Sequence, residues 1–346
     1  MEKYYGIQYL RGIAALFVIC YHSMVMSAVV PYFNSPRGEF GVDFFFVISG
    51  FVMWVTTESK PNNTLSFWIS RILRVVPLYW VFTLCFVCAV VFMPSLFFNS
   101  RGLDLLFIIK SFLLIPAINP DVGEMTPIYT IGWTLVYEMF FYFIFGFSLF
   151  LIDQKKRFAF VVAVVGGLAC CGMIFDFEGV VVSTYTNSIM LEFLAGVGLG
   201  YFRVHLLNAS VKVGFGLVVL SLAVLFTFHA DQSSRFLIYG IPSLMLVAGV
   251  VSLEKYIKLH IIRLPLFFGE ISYSLYLSRP ISQRVWYVIF VLVFGQIVNI
   301  NLAVYYFIGS VFVGILGGVV CYYVLEKQLL RLTRLGNRLQ VRRSLA

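Results

Sequence analysis

Long, nearly uninterrupted apolar stretches dominate the chain, and only short polar segments separate them. The stretches cover roughly residues 7–28, 40–57, 77–94, 132–152, 158–175, 188–202, 213–229, 236–253, 265–298 and 302–325. A helix needs about 20 apolar residues to cross a bilayer. The pattern therefore predicts an all-α polytopic membrane protein with about ten transmembrane helices.

Two apolar segments do not fit a plain crossing, and a third contains a run that imitates a motif of soluble proteins. Residues 265–298 are too many for one span and contain Pro280, so we expect a kink or break near the middle of that helix. Residues 103–115 are too few, and they predict an interfacial or re-entrant helix on the outer side. The run AGVGLG at 195–200 imitates a dinucleotide-binding loop, but inside an apolar helix it favours close helix packing.

The composition excludes a water-soluble fold. Hydrophobic residues make up 61% of the chain and charged residues only 12%, against about 45–50% and about 25% in soluble domains. The net charge of +9 comes from Lys and Arg residues between the apolar stretches, so it predicts no nucleic-acid partner. Their concentration in alternate loops predicts that both termini are cytoplasmic. No pattern of His or Cys residues predicts a metal site or a disulfide.

The chain is predicted to form one membrane domain, residues 1–326, followed by a basic amphipathic cytoplasmic tail, residues 327–346. The tail reads QLLRLTRLGNRLQVRRS, with leucines at helical spacing between arginines. This pattern is typical of a helix that lies on anionic membrane lipid. We therefore expect the tail to act as an anchor.

Ionisable residues inside apolar helices are costly and mark candidate functional positions. Arg11 and His22 lie eleven residues apart, which places both side chains on one helix face, about 16 Å apart along the axis. The alternative is a snorkelling arginine at the membrane rim and a histidine that is hydrogen-bonded within the bundle. Asp43 begins the next apolar helix, where it could line a site or simply stabilise the helix N-terminus.

Glu138 lies among aromatic residues, with Trp133 and Tyr142 close to the same helix face. A carboxylate in this setting needs a partner. The candidates are His22, Arg74 and Arg279.

Two further groups of arginines are informative. Arg71 and Arg74, at positions i and i+3, project from one side of a helix and can bind phosphate groups. The alternative for this pair is a purely topological signal. Arg279 lies deep in the ninth stretch and needs an anion. We expect that anion to be Glu138, Glu270 or an anionic group of the acceptor.

Four motifs together resemble the membrane acyltransferase family 3, in its bacterial exopolysaccharide and O-antigen O-acetyltransferase branch. They are YLRGIAALFVICYH with Arg11 and His22, GVDFFFVISGF with Asp43, RILR with Arg71 and Arg74, and GWTLVYEMFFY with Trp133 and Glu138. The resemblance covers nearly the whole chain. One position departs from it: the chain reads SYSLYLSRP, with Arg279 where the family often has histidine.

The resemblance implies a protein of the bacterial inner membrane that moves an acetyl group from cytoplasmic acetyl-CoA to a hydroxyl of a lipid-linked or surface carbohydrate. Its implied catalytic residues are His22, Glu138 and Asp43, and Arg11, Arg71 and Arg74 are expected to bind coenzyme A. The residues expected at the acceptor are Trp133, Tyr142, Tyr276 and Arg279. His22 could act as a general base or carry the acetyl group itself. The alternative function is a proton-coupled transporter of a small anionic or sugar substrate.

Overall fold

The computed structural model describes residues 4–26, 28–33, 37–58, 64–92, 104–231 and 234–332, and this part of the chain is helical without strands. In chain order the helices are α1 (Tyr5–Met24), α2 (Gly41–Thr57), α3 (Thr64–Phe92), α4 (Leu105–Phe112), α5 (Trp133–Ser148), α6 (Gln154–Ile174), α7 (Val180–Tyr185), α8 (Met190–Tyr201), α9 (Arg203–Leu207), α10 (Val211–Thr227), α11 (Phe236–Ser252), α12 (Glu254–Ile257), α13 (Arg263–Glu270), α14 (Ser272–Phe294) and α15 (Ile300–Leu332). The all-α prediction is confirmed for these residues.

Several helices have the dimensions of membrane spans. Within the described residues, five segments are long and apolar enough to cross a bilayer: Thr64–Phe92, Thr130–Ser148, Gln154–Ile174, Val180–Tyr201 and Ile300–Leu332. Helices α2, α10 and α11 are apolar but shorter. The protein is therefore a multi-pass membrane protein, while the count of ten spans and the cytoplasmic termini stay predictions.

Three helices contain a π-turn, in which one extra residue widens the hydrogen-bonded turn. The π-turns are Val162–Gly166 in α6, Phe236–Gly240 in α11 and Tyr322–Glu326 in α15. The second and third contain the polar residues Tyr239 and Glu326.

The chain divides into two compact units. The first consists of the described residues within 1–61 and 191–319, and the second of those within 62–190 and 320–346. The core of the first unit is built from apolar faces of α1, α2, α10 and α11. On α2, for example, Phe44, Val47, Ile48 and Phe51 recur at the spacing that puts them on one helix face, and all four are buried.

Within the first unit, α2 and α8 approach closely through a reciprocal pair of glycines. A Cβ on Gly50 would lie 2.0 Å from the Phe193 carbonyl oxygen, and one on Gly196 would lie 2.0 Å from the Val47 carbonyl oxygen. Each helix thus accepts the other's backbone where only a hydrogen atom fits. The packing interpretation of the AGVGLG run is confirmed.

The start of α1 is capped by a side chain from far along the sequence. Buried Glu254, at the start of α12, accepts hydrogen bonds from the Tyr5 N–H at 2.6 Å and the Gly6 N–H at 2.9 Å. These amides belong to the first turn of α1 and have no acceptor within their own helix. A carboxylate at this position also complements the positive end of the helix dipole.

The second unit is held by indole and phenol groups that donate to backbone carbonyls. The Trp68 Nε1–H on α3 donates to the Tyr142 carbonyl on α5 at 3.2 Å. The Tyr79 hydroxyl and the Trp80 Nε1–H donate to the carbonyls of Ser111 and Phe112, each at 2.8 Å. The last two bonds cap the C-terminal end of α4, whose short length confirms the predicted non-spanning helix at 103–115.

Of the kink or break expected near Pro280, the break is wrong in position. Helix α14 continues through Pro280, and the interruption lies at Ile271, between α13 and α14. A proline removes only one backbone donor, a loss that a bundle of membrane helices tolerates. At the real break, the Ser272 hydroxyl donates to the Gly269 carbonyl at 2.9 Å and so satisfies a carbonyl at the end of α13.

The predicted boundary between domain and tail lies within a helix. Helix α15 runs to Leu332, past residue 326. Residues 333–346 of the predicted tail lie outside the described residues.

The cap on α1 gives a test of the first unit. We expect Glu254→Gln to lower the free energy of unfolding by about 1.5–3 kcal/mol, because the amide keeps one acceptor oxygen and turns N–H groups toward a helix N-terminus. Thermal unfolding in detergent measures this change. Glu178→Gln, at an exposed position, is the matched control and should leave the transition unchanged. Equal transitions for all three proteins would contradict the capping role.

Candidate active site

The predicted site residues fall into both units. The first unit holds Arg11, His22, Asp43, Tyr276 and Arg279, and the second holds Arg71, Arg74, Trp133, Glu138 and Tyr142. Each unit is described in turn.

His22, in the last turn of α1, has one ring nitrogen already engaged. Its Nδ1 lies 2.9 Å from the Val18 carbonyl oxygen. A carbonyl can only accept, so Nδ1 carries the hydrogen and the neutral ring keeps its lone pair on Nε2. The ring is therefore in the tautomer that can take a proton through Nε2.

This contact bears on the orienting role expected for a carboxylate. In the described structure the Val18 carbonyl occupies Nδ1, while Asp43 bonds to Arg235. The tautomer is thus set by the helix's own backbone rather than by Asp43. The sequence could not reveal this contact. Every residue has a backbone carbonyl, so the residue four positions before a helical histidine gives no distinctive signal.

A buried polar chain lies next to His22. Ser23, the following residue, is hydrogen-bonded to Gln283 on α14 at 2.8 Å and to Ser310 on α15 at 2.9 Å. Gln283 in turn accepts from the Arg279 guanidinium at 3.4 Å. Ser23, Gln283 and Ser310 were not among the predicted residues.

Arg279 is buried on α14, as the sequence predicted. One group that its Nη1 contacts is the neutral side-chain oxygen of Gln283, 3.4 Å away and one turn further along the helix. The positive charge of Arg279 is also close enough to act on the His22 ring. Tyr276, one turn earlier, is buried and packs near the Phe45 ring at a centroid distance of 6.2 Å.

Arg11, near the N-terminal end of α1, contacts the chain at the break between α13 and α14. Its Nη2 donates to the Ser272 hydroxyl at 3.1 Å, and its Nη1 lies 3.5 Å from the Gln8 side-chain oxygen. The guanidinium is half-buried. Arg11 therefore serves a packing contact besides any ligand it binds.

Asp43 lies in the first turn of α2 and forms an ion pair. The Arg235 Nη2 donates to its Oδ2 at 2.7 Å. Glu192, on α8, lies beside both groups and interacts electrostatically with each. Asp43 and Glu192 are both 0% exposed. Two buried acidic side chains thus lie beside one guanidinium, which donates to Asp43.

Neither partner of Asp43 was found from the sequence. Arg235 lies between two apolar stretches, where its charge resembles that of an ordinary loop residue. Glu192 lies in an apolar run, MLEFLAGVG, and the cost of a carboxylate in that setting was the signal that could have found it.

A third acidic side chain, Glu39, lies toward the half-exposed edge of this cluster. Glu39 accepts from the Tyr21 hydroxyl at 3.1 Å and from the hydroxyl of Tyr239, in the π-turn of α11. The Tyr21 ring meets the His22 ring edge to face, with centroids 5.1 Å apart. The acidic cluster is thereby connected to the face of α1 that carries His22.

In the second unit, the two arginines of the RILR motif differ in their surroundings. Arg74 Nη1 lies 2.9 Å from Glu326 Oε1, in the π-turn of α15, and Glu326 is only 2% exposed. Arg71 makes no ion pair or hydrogen bond with any residue the structure describes, and its guanidinium lies 5.6 Å from the Phe67 ring centroid. Arg71 is therefore the cation of the pair that is available to an anionic ligand.

In the second unit, Glu138 lies on α5 among aromatic residues. Its Oε1 accepts from the hydroxyl of Tyr142, one turn along α5, which confirms that the two side chains share a face. Trp133 lies at the first position of α5, with its ring edge against Tyr137 at 6.1 Å.

Comparison with known proteins gives consistent results. An acyltransferase-domain family model, acyltransferase 3, matches residues 4–323. The exopolysaccharide production protein ExoZ of Rhizobium meliloti is 33% identical over 296 residues, which cover 85% of this chain and 90% of that protein. The peptidoglycan O-acetyltransferase OatA of Listeria monocytogenes is 34% identical over 100 residues, which cover 27% of this chain and 15% of that protein. No solved structure matches the chain.

The pairing of Arg235 with a buried acidic side chain gives a test of the first unit. Arg235→Gln leaves two buried carboxylates without their cation, so we expect it to cost about 3–5 kcal/mol. Asp43→Asn leaves Glu192 to pair with Arg235, so it should cost only about 1–2 kcal/mol. Thermal unfolding in detergent compares the two.

Glu192→Gln is the comparison variant, because it leaves the Asp43–Arg235 ion pair in place. It should also cost no more than about 1–2 kcal/mol. If either single variant were as unstable as Arg235→Gln, Arg235 would not be the cation that stabilises this cluster.

Proposed function

The chain belongs to the acyltransferase 3 family, and from this membership we propose that it is a membrane O-acetyltransferase acting on a polysaccharide. It moves an acetyl group from acetyl-CoA to a hydroxyl of a cell-surface polysaccharide or of its lipid-linked precursor, such as O-antigen, at the bacterial inner membrane. The names of ExoZ and OatA support a polysaccharide acceptor and an O-acetyl product. Family membership also favours acyl transfer over the transporter alternative.

The observation that carries the proposal is the state of His22. Its Nδ1–H is held by the Val18 carbonyl, so the Nε2 lone pair can remove the proton of an attacking sugar hydroxyl. The hydroxyl oxygen bonds to the thioester carbonyl carbon, the carbon–sulfur bond breaks, and the proton passes from Nε2 to the departing thiolate. Each transfer leaves His22 neutral and ready for the next.

A second route uses the same nitrogen as a nucleophile. Nε2 then attacks the thioester carbonyl carbon, the carbon–sulfur bond breaks, and coenzyme A leaves as its thiolate. The sugar hydroxyl next attacks the acetyl-imidazolium, its proton is released to solvent, and the carbon–nitrogen bond breaks to return neutral His22. The routes differ in kinetics, because only the second releases coenzyme A in a burst before acceptor binds. Rapid-mixing measurement of thiol release distinguishes them.

The donor is held through its phosphates. Arg11, Arg71 and Arg74 are assigned to the phosphate groups of coenzyme A, because a guanidinium forms bidentate, charge-assisted hydrogen bonds to phosphate. Of the two arginines of the RILR motif, Arg71 makes the stronger contact with the phosphate groups, since Arg74 is already paired with Glu326. Glu138, Trp133, Tyr142, Tyr276 and Arg279 are assigned to the acceptor or to the charge that develops during transfer, and Asp43 to supporting the fold of the site.

The first functional test concerns His22. His22→Ala should reduce acetylation by about 10²- to 10⁴-fold, since positioned proton transfer contributes that much. The measurement is the O-acetyl content of surface polysaccharide from cells that express the variant, the unchanged protein or neither. His22→Gln fills more of the same volume and should be equally inactive. Near-normal O-acetyl content at equal expression would overturn the mechanism.

The second functional test separates the two arginines of the RILR motif. Arg71→Ala should weaken coenzyme A binding by about 10- to 100-fold, the value of one hydrogen bond to a charged group, without lowering the melting temperature. Arg74→Ala should weaken binding and also destabilise the protein, because Glu326 is left buried without it. Calorimetric titration with coenzyme A and thermal unfolding give both readouts.

Arg331→Ala is the control for loss of one positive charge, because Arg331 lies exposed on α15. It should change neither readout by more than about twofold. Unchanged coenzyme A affinity in Arg71→Ala would assign that arginine a topological role instead.

A further inference from the structure

Gln283 uses all of its hydrogen-bonding groups in the interior of the first unit. The side chain is 4% exposed. Its Nε2 group donates to the Ser23 hydroxyl at 2.8 Å and to the Ile19 carbonyl at 3.0 Å. Its Oε1 accepts from Arg279, 3.4 Å away. One α14 side chain therefore holds two groups in the last turns of α1.

The direction of every bond in this network is fixed by chemistry. Arginine only donates, so the Gln283 oxygen must face Arg279 and its NH₂ group must face α1. The Ser23 hydroxyl donates its single hydrogen to the Ile19 carbonyl at 2.9 Å. Ser310 must therefore be the donor in its 2.9 Å contact with Ser23. The donor and acceptor in each of these contacts are therefore assigned.

The network ends at Ser23 and Ile19, the residues that directly follow His22 and the Val18 carbonyl to which the His22 ring is hydrogen-bonded. His22 precedes Ser23 in the chain, and the carbonyl that holds its ring, Val18, precedes Ile19. Backbone groups in the last turn of a helix lack part of their hydrogen bonding, so this turn opens readily unless other elements hold it. Here α14 and α15 supply that restraint through Gln283 and Ser310.

We propose that Gln283 is a positioning residue for His22: by tying Ser23 and the Ile19 carbonyl to α14, it fixes the direction of His22 Nε2. This inference rests on the proposed function, in which His22 acts on the hydroxyl or the thioester. A displacement of about 1 Å at a reacting group can lower a rate about 100-fold. Gln283 itself touches no reacting atom in this scheme.

The test compares two substitutions that separate the contacts of Gln283. Gln283→Leu removes all of them, whereas Gln283→Glu keeps a partner for Arg279 but loses the donors to α1. Both should lower kcat by about 10- to 100-fold, with the KM for acetyl-CoA within twofold of the unchanged protein. The assay follows thiol release by the full-length protein in nanodiscs, with de-O-acetylated surface polysaccharide as acceptor.

Ser310→Ala and Ser221→Ala form a matched pair of milder variants. Both serines are fully buried in the first unit, and Ser221 donates to the Pro242 carbonyl at 2.7 Å, between α10 and α11. Ser310→Ala should lower kcat by about three- to tenfold, and Ser221→Ala should leave it unchanged. Equal losses in the two would mean that general stability, and not the position of His22, sets the rate.

A double variant separates a role exerted through His22 from a merely structural one. If Gln283 acts through His22, adding Gln283→Leu to His22→Ala should not reduce the residual rate further. A further 10-fold loss, or full activity of Gln283→Glu, would overturn the inference. His22→Ala with normal activity would instead overturn the proposed function, so the two failures are distinct.

Discussion

Polar groups in this protein are enclosed by helices whose surfaces are largely apolar, so a group that loses its partner cannot turn to water instead. Each buried charge or hydroxyl must therefore be satisfied by another part of the chain. Glu254 receives the first amides of α1, Arg235 lies between Asp43 and Glu192, and Gln283 connects Arg279 to Ser23. These contacts join segments far apart in sequence, so the requirement for partners also determines which helices pack together.

Backbone carbonyls supply many of those partners, and this has a chemical effect at His22. A carboxylate that orients a histidine adds a negative charge beside the ring, whereas the Val18 carbonyl fixes the tautomer with a dipole alone. A neutral ring with a free lone pair is the form that a base or a nucleophile requires.

The sequence predicted the helices well because apolar length is a local property. The short helix at 103–115 and the packing role of AGVGLG followed from it, and the shared face of Glu138 and Tyr142 follows from helical spacing. Partners separated by many residues were not predictable in this way. Arg235, Gln283 and Glu326 have ordinary local contexts, and only the three-dimensional fold brings them to their partners. Glu192 stands out by its apolar context, but the sequence does not show which residues it lies beside. Pro280 misled because a proline predicts a missing donor, not the place where the chain turns.

The π-turns of α11 and α15 have a consequence for how related chains should be aligned. Each inserts one residue into a helix, and one residue rotates everything beyond it by about 100°. Without the insertion, Tyr239 and Glu326 would point away from Glu39 and Arg74. A relative that lacks the extra residue should show a single-position gap inside an otherwise continuous apolar helix. Beyond that gap, residues of the two chains are equivalent when they lie on the same helix face, not when they have the same number of residues before them. An ungapped alignment would therefore assign the wrong side chains to these charged contacts.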